Sequence, residues 1–204
     1  MGKITLVLGG ARSGKSEVAE RLAAPAGRGI HPEGDDGARK VAYIATSLVL
    51  DDEMRERVRI HRARRPQTWR TYEQATDLDL LVRQLAKEAD VILIDCALMY
   101  VSNLFFVDEE EAAGEARIVG AINSLLAACE AAPDVIIVSG EVGCGIVPEN
   151  ALARRFRDIM GLVNQRLAER ADEVYSVTAG IPVRIKAAEP APSCYVAKRR
   201  YFAE

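Results

Sequence analysis

Gly9, Gly10, Ala11, Arg12, Ser13, Gly14, Lys15 and Ser16 stand in the order glycine, four residues, glycine, lysine, serine. Each fixed position has a physical use when a chain must hold a polyphosphate. The glycines let the backbone turn tightly enough to aim its N–H groups at the anion, the lysine ammonium reaches the outer phosphates, and the hydroxyl after it can ligate Mg²⁺. Gly10 and Gly14 would serve any tight turn, but only phosphate binding explains Lys15 and Ser16 together. The order predicts a loop for a nucleoside triphosphate, with Lys15 acting on the phosphoryl groups and Ser16 on a metal ion.

Other residues could take part. Asp95 ends the apolar run Val91-Ile92-Leu93-Ile94; a carboxylate at a strand's C-terminal end beside such a loop is where Mg²⁺ is held, directly or through water. Its alternative use is to cap the helix that begins near Leu98. His61 lies among Arg55, Arg57, Arg59, Arg62, Arg64 and Arg65. Guanidinium neighbours disfavour imidazolium, so His61 would stay neutral and nucleophilic while the arginines stabilise a triphosphate. The plain alternatives are a packed histidine and a solvated basic face. Thr46 and Ser47 follow an apolar run, where a hydroxyl either meets a ligand at a strand end or caps a helix. Ser139 to Pro148, too long and glycine-rich for a tight turn, reads as a site loop. His31, set among glycine and proline, reads as an exposed bystander.

These residues need elements to position them. Ile4 to Leu8 is a short apolar run of the kind that forms a buried parallel strand, and Val18, Ala19, Leu22 and Ala23 recur at helical spacing after the loop. The helix N-terminus would then point its free N–H groups at the anion. Pro25 to Lys40 reads as a surface loop. Val41 to Ala45 reads as a second strand, Asp51 onward as a helix ended by Pro66, Thr68 to Glu73 as a short strand with Trp69 in the core, and Leu78, Leu81 and Leu85 as a helix. Further along, Ile118 to Cys129 predicts a long helix, Val135 to Val138 a strand, and Leu152, Phe156, Ile159, Met160, Val163 and Leu167 an amphipathic helix with Arg154, Arg155, Arg157 and Arg166 on other faces. Glu173 to Thr178 and Ile181 to Ile185, joined at Ala179-Gly180, are too close for a crossover and predict an antiparallel hairpin. The alternation gives an α/β fold, a mainly parallel sheet covered on both faces.

The 204 residues suit one domain, 1–186, followed by a tail, 187–204. A net charge of -3 with 28% charged and 49% hydrophobic residues is the profile of a soluble globular protein and argues against nucleic acid as a partner. No stretch approaches a membrane span, and Met1-Gly2-Lys3 runs straight into a strand, so a cytoplasmic location is expected. Cys96, Cys129, Cys144 and Cys194 show no C-x-x-C spacing and read as reduced structural thiols.

Several stretches together carry a family resemblance: GGARSGKS at Gly9 to Ser16, YIATS at Tyr43 to Ser47, LDDEM at Leu50 to Met54, H-R-x-x-R-P from His61 to Pro66, EVGCGIVPEN at Glu141 to Asn150 and VNQRLA at Val163 to Ala168. From about Lys3 to Lys186 the chain resembles the bifunctional adenosylcobinamide kinase / adenosylcobinamide-phosphate guanylyltransferases of cobalamin biosynthesis. The resemblance implies a RecA-like P-loop NTPase fold, a homotrimer, and two reactions. The hydroxyl of adenosylcobinamide is phosphorylated by a nucleoside triphosphate, and GMP is then transferred from GTP to adenosylcobinamide phosphate. It also implies that GTP and ATP are substrates with Mg²⁺ on Ser16 and Asp95, that His61 carries the guanylyl group, and that Ala45, Thr46, Ser47, Arg62, Ala63, Arg64, Arg65, Glu73 and Asp95 join Gly9 to Ser16 in holding nucleotide. Asp95 stands where glutamate is familiar and Cys144 where methionine is; the 25–40 loop and the tail look like additions. A P-loop small-molecule kinase without nucleotidyl transfer and a nucleotide-binding switch are the rival readings. The switch lacks a base-reading N-K-x-D motif.

Overall fold

The computed structural model of the chain describes residues 2–24, 39–48, 65–106 and 111–187. Along these run β1 (Ile4–Gly9), α1 (Lys15–Ala23), β2 (Val41–Ala45), β3 (Arg70–Glu73), α2 (Leu78–Leu85), β4 (Val91–Asp95), α3 (Ala97–Phe105), α4 (Glu111–Glu130), β5 (Asp134–Gly140), α5 (Ala151–Arg170), β6 (Glu173–Thr178) and β7 (Ile181–Lys186). The strands form one sheet in the order β3-β2-β4-β5-β1-β6-β7. Every pairing is parallel except the last, where β6 and β7 form the antiparallel hairpin. Ala179 and Gly180, at φ 51° and 79°, make its two-residue turn, the mirror-image geometry whose twist suits flanking strands.

The strands are apolar on both sides because both sides are covered. Ile4 and Leu6 of β1, Ala42 and Ile44 of β2, Ile92 and Ile94 of β4, and Val135 and Ile137 of β5 face a cluster completed by α2, α3, α4 and α5. The alternate residues, Val7, Val41, Tyr43, Val91, Leu93, Ile136 and Val138, face a second cluster completed by Val18, Ala19 and Ala23 of α1 and by Trp69. The period of two thus sorts each strand between a four-helix layer and a thinner layer built around the phosphate-loop helix.

Most element boundaries agree with the sequence reading. The exceptions have local causes. β3 starts at Arg70 rather than Thr68, because Trp69 N–H donates to the Pro66 carbonyl in a turn, while its ring is buried as expected. Leu152 is exposed, since α5 meets the core only from Phe156 onward. The 25–40 loop except its last two residues, the helix expected from Asp51, and the tail beyond Ala187 lie outside the described residues.

Ile137, fully buried in the central strand β5, should lose about 3 kcal/mol of stability on substitution to alanine. Val183→Ala on the exposed strand β7 should change it by less than ~0.5 kcal/mol. Urea unfolding measures both; equal losses would contradict this division between core and edge.

Candidate nucleotide and phosphoryl-transfer site

Parallel pairing gathers the C-terminal ends of β1 to β5 along one rim of the sheet. Gly9 pairs with Gly140, Val138 with Asp95, and Ala45 with both Asp95 and Glu73. An open α/β sheet binds ligands at this rim. Asp95 is therefore two strands from the phosphate loop, with β5 between them. It continues the Val91, Leu93 side of its strand, which is the side covered by α1.

The loop itself is held by backbone geometry. Arg12 and Gly14 have φ of 54° and 88°, and Ser13 N–H donates to the Gly10 carbonyl at 3.3 Å. Gly14 is the N-cap of α1 without any side-chain cap, which leaves the first N–H groups of the helix for an anion. A β-carbon at Gly9 would strike Ser13 Oγ and come within 2.8 Å of the Val177 carbonyl oxygen. One at Gly14 would lie 3.1 Å from Gly180 Cα. Glycine is required at both places, because β6 and the β6–β7 turn press against the loop. Gly180 N–H donates to the Ser13 carbonyl at 2.8 Å, so the last turn of the sheet supports the first loop. Lys15 Nζ donates to the Gly10 carbonyl at 3.0 Å, arching over the loop.

The neighbouring strand ends are fixed by buried polar groups. Thr46, fully buried, donates through Oγ1 to the Cys96 carbonyl and accepts from Cys96 N–H, both at 2.7 Å. The hydroxyl is thus buried and engaged with the backbone of the β4–α3 turn. Asn103 of α3 donates to the Thr46 and Ala75 carbonyls at 2.8 and 3.1 Å. On the other side Asn164 of α5 donates to the Gly140 carbonyl at 3.0 Å and accepts from Ser139 Oγ at 2.7 Å. The Glu141–Asn150 segment is held by two arginines of α5. Arg157 donates to the Gly143 carbonyl at 2.7 Å, and Arg154 to those of Pro148 and Glu149 at 3.0 and 2.6 Å.

Asp95 is half-buried and accepts a 2.6 Å hydrogen bond at Oδ2 from the Tyr43 hydroxyl. It does not cap α3, whose N-cap is Cys96 without a side-chain bond. Burial first, then the charge of Asp95, pushes the Tyr43 phenol well above its ordinary pKa, so it remains a neutral donor. Arg65 lies with its guanidinium carbon 3.3 Å from the Tyr43 ring centre and its Nε 3.7 Å from Glu20 Oε1 of α1. Its side chain is only 7% exposed. Ser47 is half-buried and Glu73 exposed at the rim. His61, Arg62, Ala63 and Arg64 lie outside the described residues.

The structure therefore brings the phosphate loop, Ala45, Thr46, Ser47, Glu73 and Asp95 to one rim. The sequence reading did not single out Tyr43, Glu20, Asn103 or Asn164. A polar residue on the apolar side of an amphipathic helix, such as Asn164, was the available signal. Ser16 and Asp95 supply hard oxygen donors of the kind Mg²⁺ takes, an ion that keeps waters and substrate phosphates as its remaining ligands. Among the described residues no group of three or more His, Cys, Asp or Glu could hold a metal by itself.

A parallel sheet whose first strand opens into a Gly-x-x-x-x-Gly-Lys-Ser loop at an uncapped helix start defines a P-loop α/β nucleotide-binding protein. The family model described as cobinamide kinase / cobinamide phosphate guanyltransferase matches residues 5–185. The bifunctional adenosylcobalamin biosynthesis protein CobU of Salmonella typhimurium is 49% identical over 190 residues, covering 89% of this chain and 98% of that protein. Its counterpart in Escherichia coli is 47% identical over 190 residues, with the same 89% and 98% coverage. The corresponding protein CobP of Pseudomonas aeruginosa is 40% identical over 182 residues, covering 89% of this chain and 96% of its own length. The chain belongs to the cobinamide kinase / cobinamide phosphate guanyltransferase family, and it is an enzyme.

Cys96, directly after Asp95, has its thiol pushed up to about 12, by burial first and then by the Asp95 charge; burial does the same to Cys129. Both thiols are therefore protonated at neutral pH and are poor nucleophiles there. Of the three described cysteines, exposed Cys144 should take up a thiol reagent ahead of half-buried Cys96 and buried Cys129, as followed by peptide mass spectrometry. Modification of Cys96 as fast as that of Cys144 would contradict that order.

Proposed function

We propose that the enzyme phosphorylates adenosylcobinamide with a nucleoside triphosphate and then transfers GMP from GTP to adenosylcobinamide phosphate, giving adenosylcobinamide-GDP and pyrophosphate. The observation that carries the reading is the uncapped start of α1 beneath the Gly9–Ser16 loop, with Lys15 arched across it. Family membership supplies the substrate.

In the first reaction the loop N–H groups and Lys15 hold the β- and γ-phosphates, so that the substrate hydroxyl meets the γ-phosphorus in line. Ser16 and Asp95 are the residues assigned to Mg²⁺, which when bound neutralises charge on the transferring phosphoryl group. In the second reaction a neutral His61 nitrogen attacks the α-phosphorus of GTP. An N–P bond forms, the bond to the β-phosphate bridging oxygen breaks, and pyrophosphate leaves. A phosphate oxygen of adenosylcobinamide phosphate then attacks the same phosphorus and displaces the histidine. Splitting the transfer lets one nucleotide-binding surface serve two weak nucleophiles in turn. Arg62 and Arg64 are assigned to the triphosphate. A homotrimer rests on the family resemblance alone, and a cytoplasmic location on the sequence reading of the N-terminus and of the apolar runs.

Incubation with α-labelled GTP should leave label on the protein that is lost in acid, survives base and is absent from His61→Ala. The kinase reaction of that variant should persist. Unchanged labelling of His61→Ala would remove the histidine from its role, and a wild-type chain that phosphorylates without ever being labelled would leave a simple kinase. Lys15→Ala should lower the phosphorylation rate by ~100-fold or more, the scale of losing one transition-state donor.

A further inference from the structure

Tyr43 and Asp95 sit on neighbouring parallel strands and on the same side of the sheet. Tyr43 pairs in register with Leu93, two residues before Asp95, so the phenol reaches diagonally along the ladder to Oδ2 at 2.6 Å. Among the described residues no hydrogen bond is made to Oδ1. The carboxylate is thereby fixed through one of its two oxygens. The ring that carries the hydroxyl is itself held. Arg65 lies flat enough on it for a 3.3 Å approach to the centroid, and Arg65 is held in turn by Glu20, 1% exposed, in the second turn of α1. A guanidinium this buried costs more to desolvate than an exposed one. Among the described residues it is stabilised by the Glu20 carboxylate and the Tyr43 ring face. The row Glu20, Arg65, Tyr43, Asp95 thus runs unbroken from the helix that starts at the phosphate loop to the carboxylate two strands away.

We propose that Tyr43 is a positioning residue for Asp95, and that Glu20 and Arg65 lock Tyr43 to the phosphate-loop helix so that loop and carboxylate keep one spacing. The proposal rests on the assignment of Asp95 to Mg²⁺ made above. It gives Arg65 a different task from binding triphosphate. The guanidinium is turned inward to Glu20 and Tyr43, and its planar face is what the site uses. Lysine would keep the charge and lose the face.

The test is equilibrium binding of a non-hydrolysable GTP analogue titrated with Mg²⁺, for wild type, Tyr43→Phe, Arg65→Lys, Asp95→Asn and the Tyr43→Phe/Asp95→Asn double variant. Phenylalanine keeps the ring under Arg65 and removes only the hydroxyl. Tyr43→Phe is expected to raise the Mg²⁺ concentration for half-maximal tightening by ~10-fold, the scale of one hydrogen bond to a charged group. Affinity without Mg²⁺ should stay within about two-fold, because the phosphate loop is untouched. Arg65→Lys should shift the curve in the same direction, and the double variant should show no shift beyond Asp95→Asn alone. Emission from Trp69, the single tryptophan, buried in the same cluster as Tyr43, monitors the packing.

If Asp95→Asn moves the Mg²⁺ curve and Tyr43→Phe does not, the positioning role is overturned and the metal assignment stands. If Asp95→Asn leaves the curve in place, the metal assignment fails and the proposal with it. If Tyr43→Phe weakens binding equally with and without Mg²⁺, with a red shift of Trp69 emission, Tyr43 is a packing residue and the proposal is overturned.

Discussion

A loop that binds phosphate through main-chain N–H groups must leave those groups unpaired and yet hold them still. Here no side chain caps α1, so the loop's rigidity comes from its other atoms. Its carbonyls are taken by Ser13 N–H, Lys15 and Gly180 N–H, and the β-carbon space at Gly9 and Gly14 is filled by neighbours. The hairpin β6–β7 therefore contributes to the site, and β6 pairs directly with β1, the strand that opens into the loop. Its turn residue Gly180 both approaches Gly14 and donates to Ser13. The tight turn that makes the hairpin also brings that N–H into reach.

The same division recurs along the rim. Two of the strand ends are tied to other elements by polar side chains: β2 to the β4–α3 turn through buried Thr46 and to α3 through half-buried Asn103, and β5 to α5 through buried Asn164. Individually such bonds contribute about 1 kcal/mol net, whereas a buried polar atom left without its partner costs about 1–3 kcal/mol. The penalty for a wrong register exceeds the gain from a right one. The rim is therefore specified chiefly by what would be stranded if a strand slipped, while the apolar layers on either side supply the bulk of the stability.

This explains which parts were legible in the sequence. The strands, the phosphate loop, the hairpin and the place of Asp95 are set by local order: apolar runs, glycine spacing, a carboxylate at a run's end. Arg154 and Arg157 read only as residues off the apolar face of their helix, yet they hold carbonyls of the Glu141–Asn150 segment. Nothing in their own helix distinguishes them from Arg166, because the deciding group is a carbonyl on a loop whose path the helix does not encode. Thr46 was equally open between ligand and cap. What decided its fate was the turn after β4, fifty residues on, whose N–H and C=O both meet its hydroxyl.

Arg65 gives the sharpest case of one residue type divided between two physical roles. In sequence it closes a run of arginines and shares their resemblance to a triphosphate clamp. Pro66 and Trp69 then form a turn, and the Trp69 ring enters the thinner core layer beside Tyr43. A side chain one residue before that turn is carried toward the same layer, where Glu20 offers a buried carboxylate and Tyr43 a ring face. The Arg65 guanidinium is buried, with its Nε 3.7 Å from Glu20 Oε1. A basic run cannot be treated as a uniform patch when its last member adjoins a turn pinned by a buried aromatic. Here that geometry turns the last cation of the run toward Glu20 and the Tyr43 ring.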